Sequence, residues 1–244
     1  MGQEPDQSQF FVRAFKKILR LYKFAILVKM PRMEHELLSE LFEFKARKGD
    51  FKKREIILAT IDCISELGVE HTTYEAIAQK VNTRRAHVAY YFKDKKQLII
   101  ACVRYIVGNY QQMLLESLKN AKGSQGLLMG YLEGPFHWAK KNPAQLSVML
   151  LFYYLCLVRP ELKKLHEKIR AGGVERIHYI LVNHMNIPTK DAQIMAKMIQ
   201  NMISGYIIDA VTTTGRNLDL ALEDLKKDVI YLIEAKQIPK KGRG

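Results

Sequence analysis

The chain has 244 residues, 48% hydrophobic and 26% charged, a globular composition with enough apolar side chains for one large domain or two small ones. Lys and Arg number 39 against 25 Asp and Glu, and the resulting net charge of +14 favours a polyanionic partner, nucleic acid or an anionic membrane surface, without choosing between them. No stretch in the first thirty residues approaches the roughly 20 apolar residues of a spanning helix, and Cys63, Cys102 and Cys156 are too few and too scattered for a disulfide framework or a zinc site.

A transmembrane bundle, a collagen and a disulfide-stapled mini-protein are thereby excluded, and a reducing cytoplasm is the expected compartment. Basic residues interrupt the apolar ones from Arg13 to Lys29, so no secretory leader is expected. Apolar periods of 3.6 dominate from residue 10 onward and no alternating run reads as a strand, so the fold is expected to be all-α. Breaks near Pro31, Gly49, Gly68, Asn82, Asp94, residues 122–126, Pro143, Pro160, Pro188 and residues 215–217 cut the chain into about ten helices.

Residues 1–50 form an N-terminal extension. Arg13, Lys16, Lys17, Arg20 and Lys23 share one side of a helix opposite Phe11, Phe15, Leu19 and Ile26, and no acid intervenes between Asp6 and Glu34. Three readings stay open for residues 10–30: a helix on an anionic membrane surface, an additional DNA arm, or sequence upstream of an internal start at Met30 or Met33, the last being preferred. Residues 34–45 read as a further helix, with Leu37, Leu38, Leu41 and Phe42 available to pack on the helices beyond residue 50.

Residues 51–98 form a compact module. Ile56, Thr60, Cys63, Ile64 and Leu67 mark one face of a helix over residues 52–67, which Gly68 ends in a left-handed conformation. Thr72-Thr73-Tyr74-Glu75 reads as a Thr-x-x-Glu capping box opening a short helix with Ile77, Ala78 and Val81. Asn82 tolerates a positive φ and ends it, and Thr83 is placed to cap the next. Residues 83–96 then hold five basic residues and the single acid Asp94. Val88 and Phe92, four apart, form the inward face, leaving Arg84, Arg85, His87, Ala89 and Tyr91 mainly outward. An exposed helix start rich in Arg suits a major groove: the guanidinium fork can bond guanine O6 and N7 together, and a small Ala86 lets the backbone approach the bases. Tyr and Lys suit phosphate oxygens.

Arg54, Ile56-Ile57, Ala59-Thr60, Cys63-Ile64, Gly68, Thr72-Thr73, Ile77-Ala78, Tyr90-Tyr91-Phe92 and the run from Lys95 to Leu98 keep, without a gap, the residue types and spacing of one family's DNA-binding domain. Over residues 50–110 the chain resembles the tetracycline-repressor-like (TetR/AcrR) transcriptional regulators. It departs from their pattern at Asn82 for the turn glycine, Arg84 for the helix-starting serine, Ala89 for the first tyrosine and Tyr91 for the histidine. The resemblance implies a three-helix, helix-turn-helix DNA-binding domain over residues 51–110, with the helix-turn-helix at residues 73–92. A helical effector-binding and dimerisation bundle would occupy residues 111–244. It further implies that Arg84, Arg85, Ala86 and His87 face base edges of double-stranded DNA and that Thr72, Thr73, Tyr90, Tyr91 and Lys95 lie against phosphates.

Asp94 and Gln97 are placed to cap a long helix from Lys95, with Leu98, Ala101, Cys102 and Tyr105 in one stripe. Phe136, Trp138, Met149, Phe152, Tyr153 and Tyr179 are either core or the lining of an apolar pocket, and the resemblance implies an unidentified small-molecule effector in this half. Leu218, Leu222, Leu225, Val229 and Leu232 repeat at helical spacing, and residues 190–213 carry Ile194, Met198, Met202 and Gly205 with few charges. Packing within the chain and pairing with a second copy read equally well from these residues. The resemblance favours a homodimer through Met198, Met202, Leu222, Leu225, Val229 and Leu232, and hence a palindromic site.

An enzyme is the rival class, and it finds no support in motifs: HExxH, GxSxG, a phosphate-cradling glycine loop and a compact carboxylate pair are all missing. His166-Glu167 lacks a second histidine at zinc spacing. No cofactor is expected. The runner-up function is a helical adaptor held on anionic membrane by residues 10–30. The charge excess does not mark the reading module: it is +3 over residues 1–50 (ten basic, seven acidic), +3 over 51–98 (nine, six) and +8 over 99–244 (twenty, twelve). Placement of charge within residues 83–96 is the informative feature.

Overall fold

The structure, a computed structural model, describes residues 48–119 and 121–237. Among them are nine α-helices and no strand: α1 (Lys48–His71), α2 (Tyr74–Lys80), α3 (Arg85–Tyr91), α4 (Lys95–Lys119), α5 (Gly123–Lys141), α6 (Pro143–Val158), α7 (Pro160–Asn183), α8 (Thr189–Thr212) and α9 (Leu218–Gln237). The expectations for residues 10–30, 34–45, Met30 and Met33 lie outside the described residues.

Helix α1 starts at Lys48, four residues before the expected point, and turns sharply at Gly68, whose φ of 77° only glycine adopts without strain. It buries Ile56, Ile57, Ile61, Cys63 and Ile64, while Leu67, assigned to the same face from the sequence, is largely exposed. The Thr60 hydroxyl, also buried, donates to the Ile56 carbonyl at 2.7 Å, so no polar atom there is stranded.

At its start, α4 is capped as expected, with Asp94 Oδ1 accepting the Gln97 N–H at 2.7 Å. Its 25 residues run about 37 Å, and the boundary expected at residue 110 falls inside it. One side, Leu98, Cys102 and Ile106, joins the core containing α1; the other, Ile99, Val103 and Val107, packs with Phe152 of α6 and Leu162 of α7. Val69, just past the α1 kink, closes against that second cluster. Lys96 adds an ion pair to Glu161 at 2.7 Å, and this bond holds the Glu161 carboxyl below its usual range. The reading module is thus seated on the bundle by apolar contact along α4, α6 and α7.

Helix α5 lies against α4 at close range because Gly134 has no side chain: a Cβ there would fall 2.6 Å from Leu114 Cδ1. Helices α8 and α9 complete the bundle, and here the sequence expectation is corrected. Leu225 and Val229 are fully buried within their own chain with Ala221, and Leu222 and Leu232 are half-buried against the same core. The regular repeat on α9 therefore marks its inward face. Hydrophobic spacing defines a face but does not say whether it meets the same chain or another. Lys140–Asp219 at 2.6 Å, Lys226–Glu133 at 2.5 Å and Lys236–Asp191 at 2.9 Å latch α9 onto α5 and α8. Tyr206 donates to Asp228, and that bond together with burial pushes its phenol up to about 12.

The expected pocket residues divide between the two cores. Phe136 and Trp138 fill the larger core, the latter donating its indole N–H to Gln145 Oε1 at 3.1 Å, and Phe152 fills the smaller one. Tyr153 and Tyr179 are half-buried against the rings of His166 and His184, and Met149 bridges both cores. An open cavity of about 400 Å³ at the other end of the bundle is bordered by Ser124, Leu128, Met129, Met185, Ile230 and Glu234, and no residue of the expected pocket set borders it. Large aromatic side chains in a helical run are usually the best core fillers available, which is the role taken here.

All three cysteines sit in apolar surroundings that push their thiols up, Cys102 most of all, with its S–H toward the Ile57 carbonyl at 3.7 Å. No described helix is long and apolar enough to cross a membrane. Because Phe152 is the fully buried centre of the contact between module and bundle, Phe152→Ala is expected to cost about 3–5 kcal/mol. Chemical denaturation checks this, and an unchanged midpoint would contradict the packing described.

Candidate nucleic-acid interface

Helix α3 has only seven residues, too short to persist alone in water. Burial on one side holds it. Val88 and Phe92 are almost fully buried on Ile77 and Ala78 of α2 and on the α1 face, and a buried Phe contributes roughly 1.5–3 kcal/mol. Lys53 adds its ammonium 5.6 Å from the Phe92 ring centre.

The turn between α2 and α3 takes the expected form. Asn82 has φ 48°, and the Asn82 and Thr83 N–H groups donate back to Gln79 and Ala78 at 3.2 and 2.9 Å. Lys52 reaches from α1 to the Val81 carbonyl at 3.1 Å, so an α1 cation closes the C-terminus of α2.

Capping departs from expectation by one residue at each helix. Thr73, not Thr72, caps α2, its Oγ1 accepting the Ala76 N–H at 3.1 Å. Thr72 is 2% exposed and donates its hydroxyl to the Gly68 carbonyl at 2.7 Å, stabilising the α1 kink. Its expected placement on a phosphate is therefore corrected: the side chain is inside. With two adjacent threonines, the one facing the preceding turn is consumed by it. At α3 the N-cap is Arg84, which makes no side-chain cap, and Thr83 instead shares a 2.9 Å hydrogen bond with His87 Nδ1. The helix forgoes a cap of about 1 kcal/mol.

Arg84, Arg85, Ala86 and His87 are all exposed in the first turn of α3, side by side and away from Val88. Tyr90, 79% exposed, stands on the same outer side, its ring edge-on to the half-buried Tyr91 at 5.3 Å. Lys95 is exposed and donates to the Val69 carbonyl, which ties the start of α4 to the tail of α1 and leaves two of its three N–H donors for another acceptor.

One residue that sequence reasoning missed is Tyr74. Its hydroxyl donates at 2.7 Å to the Phe92 carbonyl, where α3 ends, and so fastens the end of α3 to the start of α2. Burial, with Asp94 nearby, pushes this phenol above its usual range against the opposing charge of Arg85, so it remains protonated and a donor. No local pattern signals a bond spanning 18 residues.

The arrangement is a helix-turn-helix whose second helix projects a small, cationic, hydrogen-bonding first turn from an apolar seat, the geometry by which such helices enter a major groove. The sequence profile of bacterial regulatory proteins of the tetR family matches residues 56–102, from the middle of α1 into α4. The HTH-type transcriptional regulator BetI of Serratia proteamaculans is 25% identical over 159 residues, 63% of this chain and 78% of that protein. BetI of Stenotrophomonas maltophilia is 27% identical over 157 residues with the same coverage. Among solved structures, a transcriptional regulator from Rhodococcus sp. RHA1 superposes with a TM-score of 0.67 at 16% identity, covering 76% of this chain and 98% of that one. A transcriptional regulator from Saccharomonospora viridis, solved in complex with choline, gives 0.67 at 17% identity over 74% and 96%. The module's geometry, the profile match and the relatives agree: residues 56–102 carry the DNA-binding domain of the tetR-family regulatory proteins, and the chain is similar over most of its length to DNA-binding transcriptional regulators, which are not enzymes.

Proposed function

We propose that the chain acts in the cytoplasm as a homodimer on a palindromic operator, represses transcription by occupying it, and is released when a small effector binds the C-terminal bundle. Arg84, Arg85, Ala86 and His87 read base edges; Thr73, Tyr90, Tyr91 and Lys95 meet phosphates. Thr73 accepts one bond as a cap and keeps its hydroxyl proton for a phosphate oxygen. The observation that carries the reading is the exposed first turn of α3 held on a fully buried Val88.

For the dimer, the support lies on the outer faces of α8 and α9 rather than on the α9 repeat. Ile194, Met198, Gly205 and Ile208 fall in one stripe at spacings of four, seven and three on α8, with Met198 43% exposed; Leu220 and Tyr231 stand out from α9. Half-buried Met202 borders that stripe, whereas Leu225 and Val229 take no part. Two such helix pairs meeting about a two-fold axis make a four-helix interface and bring two reading heads onto one duplex. For the effector, the support is the choline bound to the Saccharomonospora relative, together with buried polar groups inside this bundle, such as Gln111 Oε1, which has no hydrogen-bond partner.

Selection of bound fragments from the source genome tests the reading: a two-fold-symmetric consensus is expected, and failure to enrich any sequence would contradict it. Arg85→Ala should relax one base preference at a cost of about 1–3 kcal/mol, while Lys95→Ala should weaken all duplexes alike and flatten the salt dependence. Unchanged preference in the Arg85 variant would remove that residue from the reading set. At Gly205 a new Cβ meets no atom within 4 Å, so Gly205→Arg should fold normally yet sediment as a monomer; a persisting dimer would place the interface elsewhere.

A further inference from the structure

Thr83 and His87 are joined by a 2.9 Å hydrogen bond between Oγ1 and Nδ1 at the outer edge of the module, where His87 is exposed and Thr83 half-buried. Thr83 is the residue from which a cap for α3 was expected, and the helix N-cap makes no side-chain bond. The one hydroxyl at this turn is committed to a ring on the outer side of α3. The bond spans the first turn of α3, from the residue before its N-cap to His87, and fixes the orientation of that ring.

We infer that Thr83 is a specificity-determining residue: it holds the His87 imidazole through Nδ1 so that Nε2–H is the group presented to the base edges, selecting a purine at one position of each half-site. The inference rests on the DNA-binding reading above. In this scheme the Thr83 hydroxyl, which has no other hydrogen-bond partner among the described residues, donates to Nδ1. A neutral imidazole accepting at Nδ1 carries its hydrogen on Nε2. The outward nitrogen is then a donor, and the major-groove acceptors open to it are purine N7, joined in guanine by O6, and thymine O4; N7 is the one both purines share, and 7-deaza substitution separates it from O4. Thr83 is β-branched and stiff at χ1, and the backbone N–H of Thr83 is fixed on the Ala78 carbonyl at 2.9 Å, so the hydroxyl is itself well placed to act as an anchor. Freezing the ring before DNA arrives removes an ordering cost from the bound state. Thr83 touches no base in this scheme and acts through His87.

Binding-site selection with the wild type, Thr83→Val, Thr83→Ser and His87→Ala tests it. Thr83→Val keeps the shape and the branched backbone preference but removes the hydroxyl. It should lose roughly fivefold in preference, the scale of one hydrogen bond, at the same base position that His87→Ala affects, with preferences elsewhere and the thermal midpoint unchanged. Thr83→Ser should restore the preference. Replacing the selected purine by its 7-deaza analogue should weaken the wild type by a similar factor and leave Thr83→Val indifferent. The inference is overturned if Thr83→Val keeps the preference that His87→Ala loses, if His87→Ala loses none, or if Thr83→Val weakens all positions alike. A wild type that enriches no sequence defeats the DNA-binding reading itself, a result distinct from each of these.

Discussion

A helix of seven residues cannot hold its own shape in water, and the proposed DNA-reading surface of this protein is such a helix. Everything that α3 presents to a partner depends on the burial of Val88 and Phe92 against α2 and α1. Polar bonds then set its position: Tyr74 fastens the Phe92 carbonyl just past α3, Lys52 the Val81 carbonyl just past α2, and Asn82 supplies the left-handed turn between the two helices. The apolar seat provides most of the stabilisation, since a hydrogen bond contributes about 1 kcal/mol net while a buried Phe contributes more. The polar bonds supply geometry. Division of labour of this kind leaves the outer side of α3 free of any structural duty, which is why it can carry arginines.

A second apolar contact, between the module and the bundle, is the route by which the proposed effector would act on the module. Helix α4 enters the module at Leu98 and Cys102 and leaves it packed on Phe152 and Leu162. Over about 37 Å, a tilt of about 5° at one end moves the other by about 3 Å. Cores of this density do not bend continuously, so a small repacking among α4, α6 and α7 is transmitted to the module as a rigid movement. The Lys96–Glu161 ion pair and Val69 sit on this contact and would register the change first.

The sequence was most legible where a residue type has one physical use. Asn82 at positive φ, Asp94 as a cap, Pro143 and Pro160 at helix starts, and the inward Val88–Phe92 pair all stand where local chemistry put them. Legibility failed where two neighbours had equal claims or where the partner was remote. Thr72 and Thr73 are chemically alike, and only the fold around Gly68 decides which is inside. Leu225 and Val229 form a convincing apolar stripe, but which surface it meets is a tertiary fact. Phe136, Trp138 and Phe152 are aromatic because the core needs volume, and nothing in their spacing separates that from a ligand pocket. Tyr74 and the Thr83–His87 pair went unread because a hydroxyl's partner is fixed by three-dimensional direction rather than by pattern.

The central claim is that two copies of this chain clamp one duplex through an electrostatic and base-reading contact. The most direct measurement is a titration of a selected operator duplex with the protein at several salt concentrations, with the mass of the complex determined by sedimentation. The account predicts two chains per duplex and a log affinity that falls linearly and steeply with log salt, because each phosphate neutralised releases a counterion. One chain per duplex, or an affinity indifferent to salt, would contradict it.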